Sequence, residues 1–366
     1  MNPSLFLSLV QAYFPKLVLR IVEKYNDTQT NLPYHYRQYL KKVFSTDGKW
    51  ATLSVNNSLV AADIIAMDSS IPLKKRPSIG QASGDIPKMG LEFTLNEKEL
   101  TDLQTLVARL NYNGSATTQQ IVAKLFRDVD ACIGGIYERI EACFLEGLSY
   151  GVTVIADSET VGTGVRIDYG YPAANAFASM VPWATAGSAT PFSDVQRVLD
   201  RVSYDGNVSI RALMDRTTFN QAAATNEGKQ LYASASGFFG ANIPTPTLDQ
   251  MNTATKAKYG LTIEIIDRSV RTQKNGTNVA TKPWKPGAVV LIPSDTLGSL
   301  AYARLAEQDH PAAGVEYQLA DDFILVSKFN ENRPSLKEVT NSQARVIPVI
   351  DNVDAIYTLD TTATGG

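Results

Sequence analysis

Histidine and cysteine are almost missing from this chain: His35, His310, Cys132 and Cys143 are the only ones among 366 residues. Catalysis through a histidine base would have to use His35 or His310, and His310 precedes Pro311 in a sequence that reads as loop. Cys132 and Cys143 stand eleven residues apart. On one helix that spacing is ~16 Å along the axis, too far for a disulfide. No further Cys or His lies at metal-ligand spacing, so both thiols read as small buried apolar groups. An excess of basic charge is also lacking, since 34 Lys and Arg meet 37 Asp and Glu for a formal charge of −3. That balance excludes the cationic surface of a sequence-reading nucleic-acid binder. Long apolar runs are absent too. The most apolar early stretch, 5–22, is interrupted by Ser8, Gln11, Pro15, Lys16 and Arg20, which argues against a membrane span or a secretory signal and predicts synthesis in a cytoplasm.

Familiar catalytic and phosphate-binding patterns are missing as well. Glu227-Gly228-Lys229-Gln230 lacks both the earlier glycine and the magnesium-holding Ser or Thr of a phosphate loop, and Gly162-Thr163-Gly164 lacks a third glycine. Gly80-Gln81-Ala82-Ser83-Gly84 has the wrong spacing for a nucleophile elbow. The neighbouring carboxylates Asp321 and Asp322 would point to opposite faces of a strand and share no proton. The expectation is no catalytic, cofactor-binding or metal-binding residue and no cofactor.

What is present is ample core material. At 44% hydrophobic and 19% charged, the chain holds enough apolar residues for two compact domains, or one large discontinuous one. The first fifty residues mix aromatics with a modest positive excess. Leu5, Leu9, Phe14, Leu17 and Ile21 roughly follow helical spacing, with Pro15 expected to start, kink or end any helix there. Residues 28–39 read as an extended aromatic arm that needs a surface to pack on, and another copy of the chain is the candidate surface. From 59 to 95 an apolar segment, a middle punctuated by Pro72, Pro77, Gly80, Gly84 and Pro87, and an alternating segment describe two strands with a long polar tip. The tip carries Lys74, Lys75 and Arg76.

Thr117-x-x-Gln120 has the form of a capping box. Apolar residues then recur at three- and four-residue steps from Ile121 to Leu148, ending at Gly151. The spacing predicts one helix over 118–150, with Gly134-Gly135 in its middle marking a bend or a close approach. Beyond it, short strands and helices alternate from about 160 to 310 as one α/β unit, with a helix at 217–224, a glycine-rich loop at 234–246 and a helix at 248–258. Two strand-like segments, 317–329 and 344–357, close the chain.

This order of elements resembles the HK97-like major capsid proteins of tailed bacteriophages, and within them the phage capsid protein E group of lambda-type coat proteins. The carrying residues are Ile86-Pro87-Lys88-Met89-Gly90-Leu91-Glu92-Phe93-Thr94-Leu95, Asp168-Tyr169-Gly170-Tyr171-Pro172 with Trp183, and Pro286-Gly287-Ala288-Val289-Val290-Leu291-Ile292-Pro293. Ser342-Gln343 with Pro348, Asp354, Ile356 and Tyr357 close the series. The resemblance implies an α+β fold: an N-terminal arm (1–58), an extended loop (59–98), a peripheral domain with the spine helix (99–160), an inserted axial domain (161–312) and return strands of the peripheral domain (313–366). The tyrosines at 34, 36 and 39 have no counterpart in that pattern.

The function implied is a non-enzymatic shell protein, assembling as pentamers and hexamers of an icosahedral capsid around double-stranded DNA that it touches weakly and without sequence preference. Partners implied are a separate scaffolding protein, a portal and decoration proteins, with no membrane. Lys74, Lys75, Arg76, Tyr34, Tyr36 and Tyr39 are the candidate assembly contacts, and Gly134 and Gly135 the candidate hinge during shell expansion. Two other classes stand beside this one: an encapsulin-like compartment enclosing cargo proteins, and a soluble α/β enzyme.

Overall fold

The computed structural model describes residues 2–27, 34–51, 54–55, 79–80, 83–113, 115–155, 165–238, 240, 242–274 and 277–364. Two sheets carry the architecture. A six-stranded sheet holds Leu40–Phe44, Gly298–Ala303, Lys337–Ile350, Ile324–Glu331 and Glu316–Ala320 in that order, with Lys88–Leu95 as a further neighbour of Lys337–Ile350. A five-stranded sheet runs Thr262–Ile265, Arg211–Met214, Ala288–Ile292, Tyr357–Thr364 and Ala176–Ser179. Ala288–Ile292 is central and wholly buried, so its unbroken apolar run suits a strand covered on both faces. One core lies against the six-stranded sheet and extends to Leu213, Val290 and Ile292 of the five-stranded sheet, whose other face, with Ala212, Met214, Val289 and Leu291, builds a second core.

The helix Arg127–Tyr150 lies across the six-stranded sheet, with Val129, Ile133, Ile136, Tyr137, Ile140 and Phe144 inside. It ends at Gly151, whose φ of 73° gives the left-handed cap that glycine adopts at least cost. The predicted single helix over 118–150 is in fact two, Ser115–Leu125 and Arg127–Tyr150, separated at Phe126. A buried cation explains the break. Lys328 Nζ donates to the Leu125 carbonyl at 3.1 Å and to Thr340 Oγ1 at 2.7 Å. It thereby competes for a carbonyl that an unbroken helix would use. Burial pushes the Lys328 ammonium below its ordinary pKa and the Glu338 carboxyl above its own.

The arm departs further from expectation. Residues Leu7–Asn26 form one helix that runs through Pro15. Val10, Phe14, Val18 and Ile21 recur at helical spacing and are buried. Each such burial is worth roughly 1.5–3 kcal/mol, enough to outweigh the backbone hydrogen bond that proline omits. Residues 34–39 are not extended either, for His35–Tyr39 is a short helix. In front of the arm helix, Asn2 pairs with Asn330 through both backbone bonds at 3.0 Å, and Ser4 Oγ donates to Glu338.

Three more differences concern strands. The ribbon pairing starts earlier than expected, with Lys49–Ala51 against Ser83–Asp85 and Ser54–Val55 against Ile79–Gly80, while Lys88–Leu95 belongs to the large sheet. The apolar segment 60–67 and Lys74, Lys75 and Arg76 lie outside the described residues. The segment 317–329 is a hairpin, turned by Asp321 and Asp322 at φ of 53° and 72°. Finally, Tyr357–Thr364 pairs with Ala288–Ile292 and Ala176–Ser179, so the chain's end completes the sheet of the inserted unit rather than the peripheral one.

Candidate functional site

The arm meets the spine helix at a cluster of rings and charges. Phe14 stacks on Phe126 with centroids 6.2 Å apart, seating the arm helix on the break between the two central helices. Farther along, Tyr25, Tyr34 and Tyr137 surround one another at 5.4–6.3 Å. The Arg37 guanidinium lies 4.4 Å from the Tyr137 ring centre and 3.5 Å from Asp321 Oδ2. Asp321 also accepts from Tyr137 Oη at 3.1 Å and from Lys42 Nζ at 2.6 Å, while Asp322 accepts from the same ammonium at 2.9 Å. The two carboxylates therefore converge on one lysine. Their positive φ values turn them to one side, unlike adjacent residues of a strand.

Beneath this cluster, Glu141 is fully buried on the spine helix. Its carboxylate accepts from the backbone N–H groups of His35 and Tyr36 at 3.0 and 3.1 Å, and lies 2.8 Å from His35 Nδ1. A carboxylate at the start of His35–Tyr39 satisfies donors that no turn of that helix can reach. One turn earlier, Glu138 accepts from Tyr34 Oη at 3.0 Å and pairs with Arg268, whose guanidinium sits 4.4 Å from the Tyr34 ring centre. Tyr39 Oη donates to Glu264 at 2.6 Å, and Arg211 joins the same carboxylate at 3.0 Å. The arm thus ties the spine helix to strands of the inserted unit. Burial raises the hydroxyl pKa values of Tyr25, Tyr34, Tyr36, Tyr39 and Tyr137.

Tyr34, Tyr36 and Tyr39, expected at a contact between copies, are instead interior residues, 6%, 2% and 0% exposed. Their partners Glu138, Glu141, Arg268 and Glu264 all lie more than a hundred positions away, and no local pattern announces them. Gly134 and Gly135 sit where other side chains press on the helix. A methyl on Gly134 would overlap Tyr25 Oη, well inside van der Waals contact, and one on Gly135 would come within 2.6 Å of Leu91 Cδ2. Cys132 and Cys143 are buried on the one helix and form no disulfide, and burial pushes the Cys132 thiol up to about 12. Among the described residues no group of three His, Cys, Asp or Glu is arranged to hold a metal, and no helix is long and apolar enough to cross a membrane.

A docked arm, a paired ribbon, a spine helix laid on one sheet and a second sheet completed by the chain's end make up the HK97-like capsid fold. The protein assigned as the capsid protein of a prophage of E. coli CFT073 has this fold, with a TM-score of 0.59 at 12% identity over 94% of this chain and 98% of that one. The cyanophage A-1(L) capsid protein covers 89% of this chain and 92% of its own at 13% identity and a TM-score of 0.43. The SrpI encapsulin of Synechococcus elongatus PCC 7942 covers 92% and 90% at 13% identity and 0.40. No curated protein sequence matches. The model of the phage major capsid protein E family matches residues 30–361, and the chain belongs to that family. It is a structural protein of the virion capsid, not an enzyme.

Proposed function

We propose that this chain builds the icosahedral shell of a tailed bacteriophage, as pentamers and hexamers of itself around double-stranded DNA. The observation that carries the reading is the family match over residues 30–361, which begins after the arm helix and extends through the ribbon, the spine and both sheets. Family membership gives the shell, and the distribution of buried surface suggests how its contacts divide. Because the arm is anchored on its own spine helix, contacts between copies fall to the ribbon and the inserted unit. Lys74, Lys75 and Arg76 are the ribbon's polar contacts in this reading. A closed shell sums many weak contacts per copy, so none need be strong alone.

A formal charge of −3 suits a wall that must not hold the incoming genome by counterion release. The chain is made in the host cytoplasm and relies on a separate scaffolding protein, with a portal and decoration proteins completing the particle. Negative-stain microscopy of the overexpressed chain, with and without its scaffold, tests the proposal: closed shells of uniform size are expected, and persistent monomers under both conditions overturn it. Shells recovered from infected cells should contain DNA; cargo protein in its place favours a compartment of the encapsulin kind.

A further inference from the structure

Among the described residues, the large apolar side chains most open to solvent are Tyr204 at 84% and Val208 at 66%. They flank one turn, and that turn is held rigidly. Asp205 accepts from Arg201 Nε at 2.8 Å and from Tyr357 Oη at 2.9 Å, while Asn207 Nδ2 donates to the same Tyr357 Oη at 2.9 Å. Backbone bonds from Asp205, Gly206 and Asn207 to Arg201, Ser203 and Val202 close it. An exposed aromatic on a fixed turn loses little freedom on binding, which is the character of an interface anchor.

A matching surface lies at the other end of the same helix. Pro191–Tyr204 is 14 residues, or ~20 Å, long. At its start stands a loop in which Met180, Ala184, Thr185, Ala186, Gly187 and Ser188 are exposed. No charged side chain occurs anywhere from Tyr169 through Ser193, and depletion of charge marks the centre of an interface. The loop is fixed as firmly as the turn. Buried Asp194 accepts from the Met180 backbone N–H at 3.1 Å and from Trp183 Nε1 at 3.0 Å, and the Trp183 N–H reaches the Thr361 carbonyl at 3.1 Å. Met180, 56% exposed, presents a thioether that adapts to an aromatic ring.

We propose that the Tyr204–Val208 turn of one copy seats on the uncharged Met180–Ser188 loop of the next, so that the helix Pro191–Tyr204 links successive copies head to tail. A donor and a receiver on opposite ends of one element form a heterologous contact, and such contacts close into rings when the rotation between copies allows. This inference rests on the shell reading above and assigns residues to its ring contact. The occupant is a second copy of this chain because a shell brings each copy's turn within reach of a neighbour's loop, the turn's one charge, Asp205, is already paired with Arg201, and the loop offers no charge that a charged partner would need.

The test uses the full chain. Tyr204→Asp with Val208→Asp, and separately Met180→Asp, should each lower shell yield at least tenfold while leaving the circular dichroism and melting of the unassembled chain unchanged, since all three residues are exposed. Tyr204→Cys with Met180→Cys, oxidised within assembled particles, should give a cross-linked ladder ending at five and six chains; the native thiols are buried and stay silent. Normal shell yield from the aspartate variants, or cross-linking by Tyr204→Cys alone as efficient as by the pair, overturns the head-to-tail contact while the shell reading stands. A wild-type chain that forms no shells overturns both.

Discussion

The guanidinium of Arg37 lies 4.4 Å from the centre of the Tyr137 ring, and within 6 Å of the rings of Tyr34 and Tyr36. One cation from the arm is therefore enclosed by aromatic faces from the arm and the spine, with Asp321 from the far hairpin completing its shell at 3.5 Å. Replacing it removes stacking and leaves the rings facing a void. Arg37→Ala should destabilise the unassembled chain by about 2 kcal/mol in urea unfolding. Arg37→Lys should recover less than half of the loss, because an ammonium cannot lie flat among three rings.

Glu141 is the internal anchor of the same segment. Glu141→Ala would strip the acceptor from two backbone N–H groups and from His35 Nδ1 inside the protein, at a cost of about 3 kcal/mol. The expected signature is local: amide exchange at His35 and Tyr36 should accelerate far more than exchange in Pro191–Tyr204, whose buried side chains Phe192, Val195, Val198 and Val202 belong to the other core. Uniform acceleration across both sheets would show that the carboxylate supports the whole fold and not the arm.

Gly134 separates two accounts of the glycine pair. If its role is to admit the Tyr25 hydroxyl, Gly134→Ala should cost about 2 kcal/mol in the wild type, and about 1 kcal/mol less in a Tyr25→Phe background, a coupling that a double-mutant cycle resolves. If its role is to let the spine bend during expansion, the stability cost should be indifferent to Tyr25, and the defect should show as slowed expansion of assembled shells. The contact at Gly135 is milder, since the side chain it meets is the movable end of Leu91.

Legibility in the sequence follows the range of the forces involved. Ala288–Ile292 lies within the 286–293 stretch that carries the resemblance, and it stands out because five apolar side chains in a row are a local signal. The helix expected at 248–258 is Leu248–Tyr259, and the structure shows that Thr247 and Gln250 close its start with a capping box. Asn226–Ser236 escaped because Leu231 and Tyr232 are its only large apolar side chains and set no period, and what holds it is the Thr225 cap and packing of Leu231 and Ala233. The break at Phe126 depends on Lys328, some 200 residues on. The arm cluster depends on charges equally remote, so the aromatics of 34–39 were visible but not what they face. The Met180–Ser188 loop is a run of mostly small residues, and its lack of charge gains meaning once Tyr204 is placed at the helix's far end.

The ribbon's basic trio offers a test independent of the described core. Reversing Lys74, Lys75 and Arg76 together to glutamate should reduce shell yield at least tenfold at low salt. The unassembled chain should keep its melting temperature, because the charges serve contacts between copies. Raising salt should narrow the difference as screening weakens exposed pairs. Unchanged yield at every ionic strength removes the trio from the assembly contacts.

Asp360 sets a pH dependence whose sign is fixed by its surroundings. Partial burial would raise its carboxyl, but Lys285 Nζ at 2.8 Å, Thr362 Oγ1 at 2.7 Å and the Thr362 N–H at 2.9 Å outweigh that and bring it from 3.8 down to about 2. A carboxylate whose folded pKa lies below its unfolded one adds stability that is complete above the unfolded value and disappears as pH falls through the folded one. Lys285 is 36% exposed, so solvent screening keeps the contribution near ~1 kcal/mol. Asp360→Asn should therefore lower the stability of the unassembled chain by about that amount at neutral pH, measured by urea unfolding. The gap should shrink steadily from about pH 4 towards pH 2, because below that range the wild-type carboxyl is protonated in both states and the substitution no longer removes a charge. Since Tyr357–Thr364 closes the sheet of the inserted unit, the loss should be felt first in exchange at Tyr357, Thr358 and Leu359, whose register with Val289, Val290 and Leu291 depends on that strand staying in place. A gap that widens on acidification would mean that the ion pair with Lys285 is not what holds the strand.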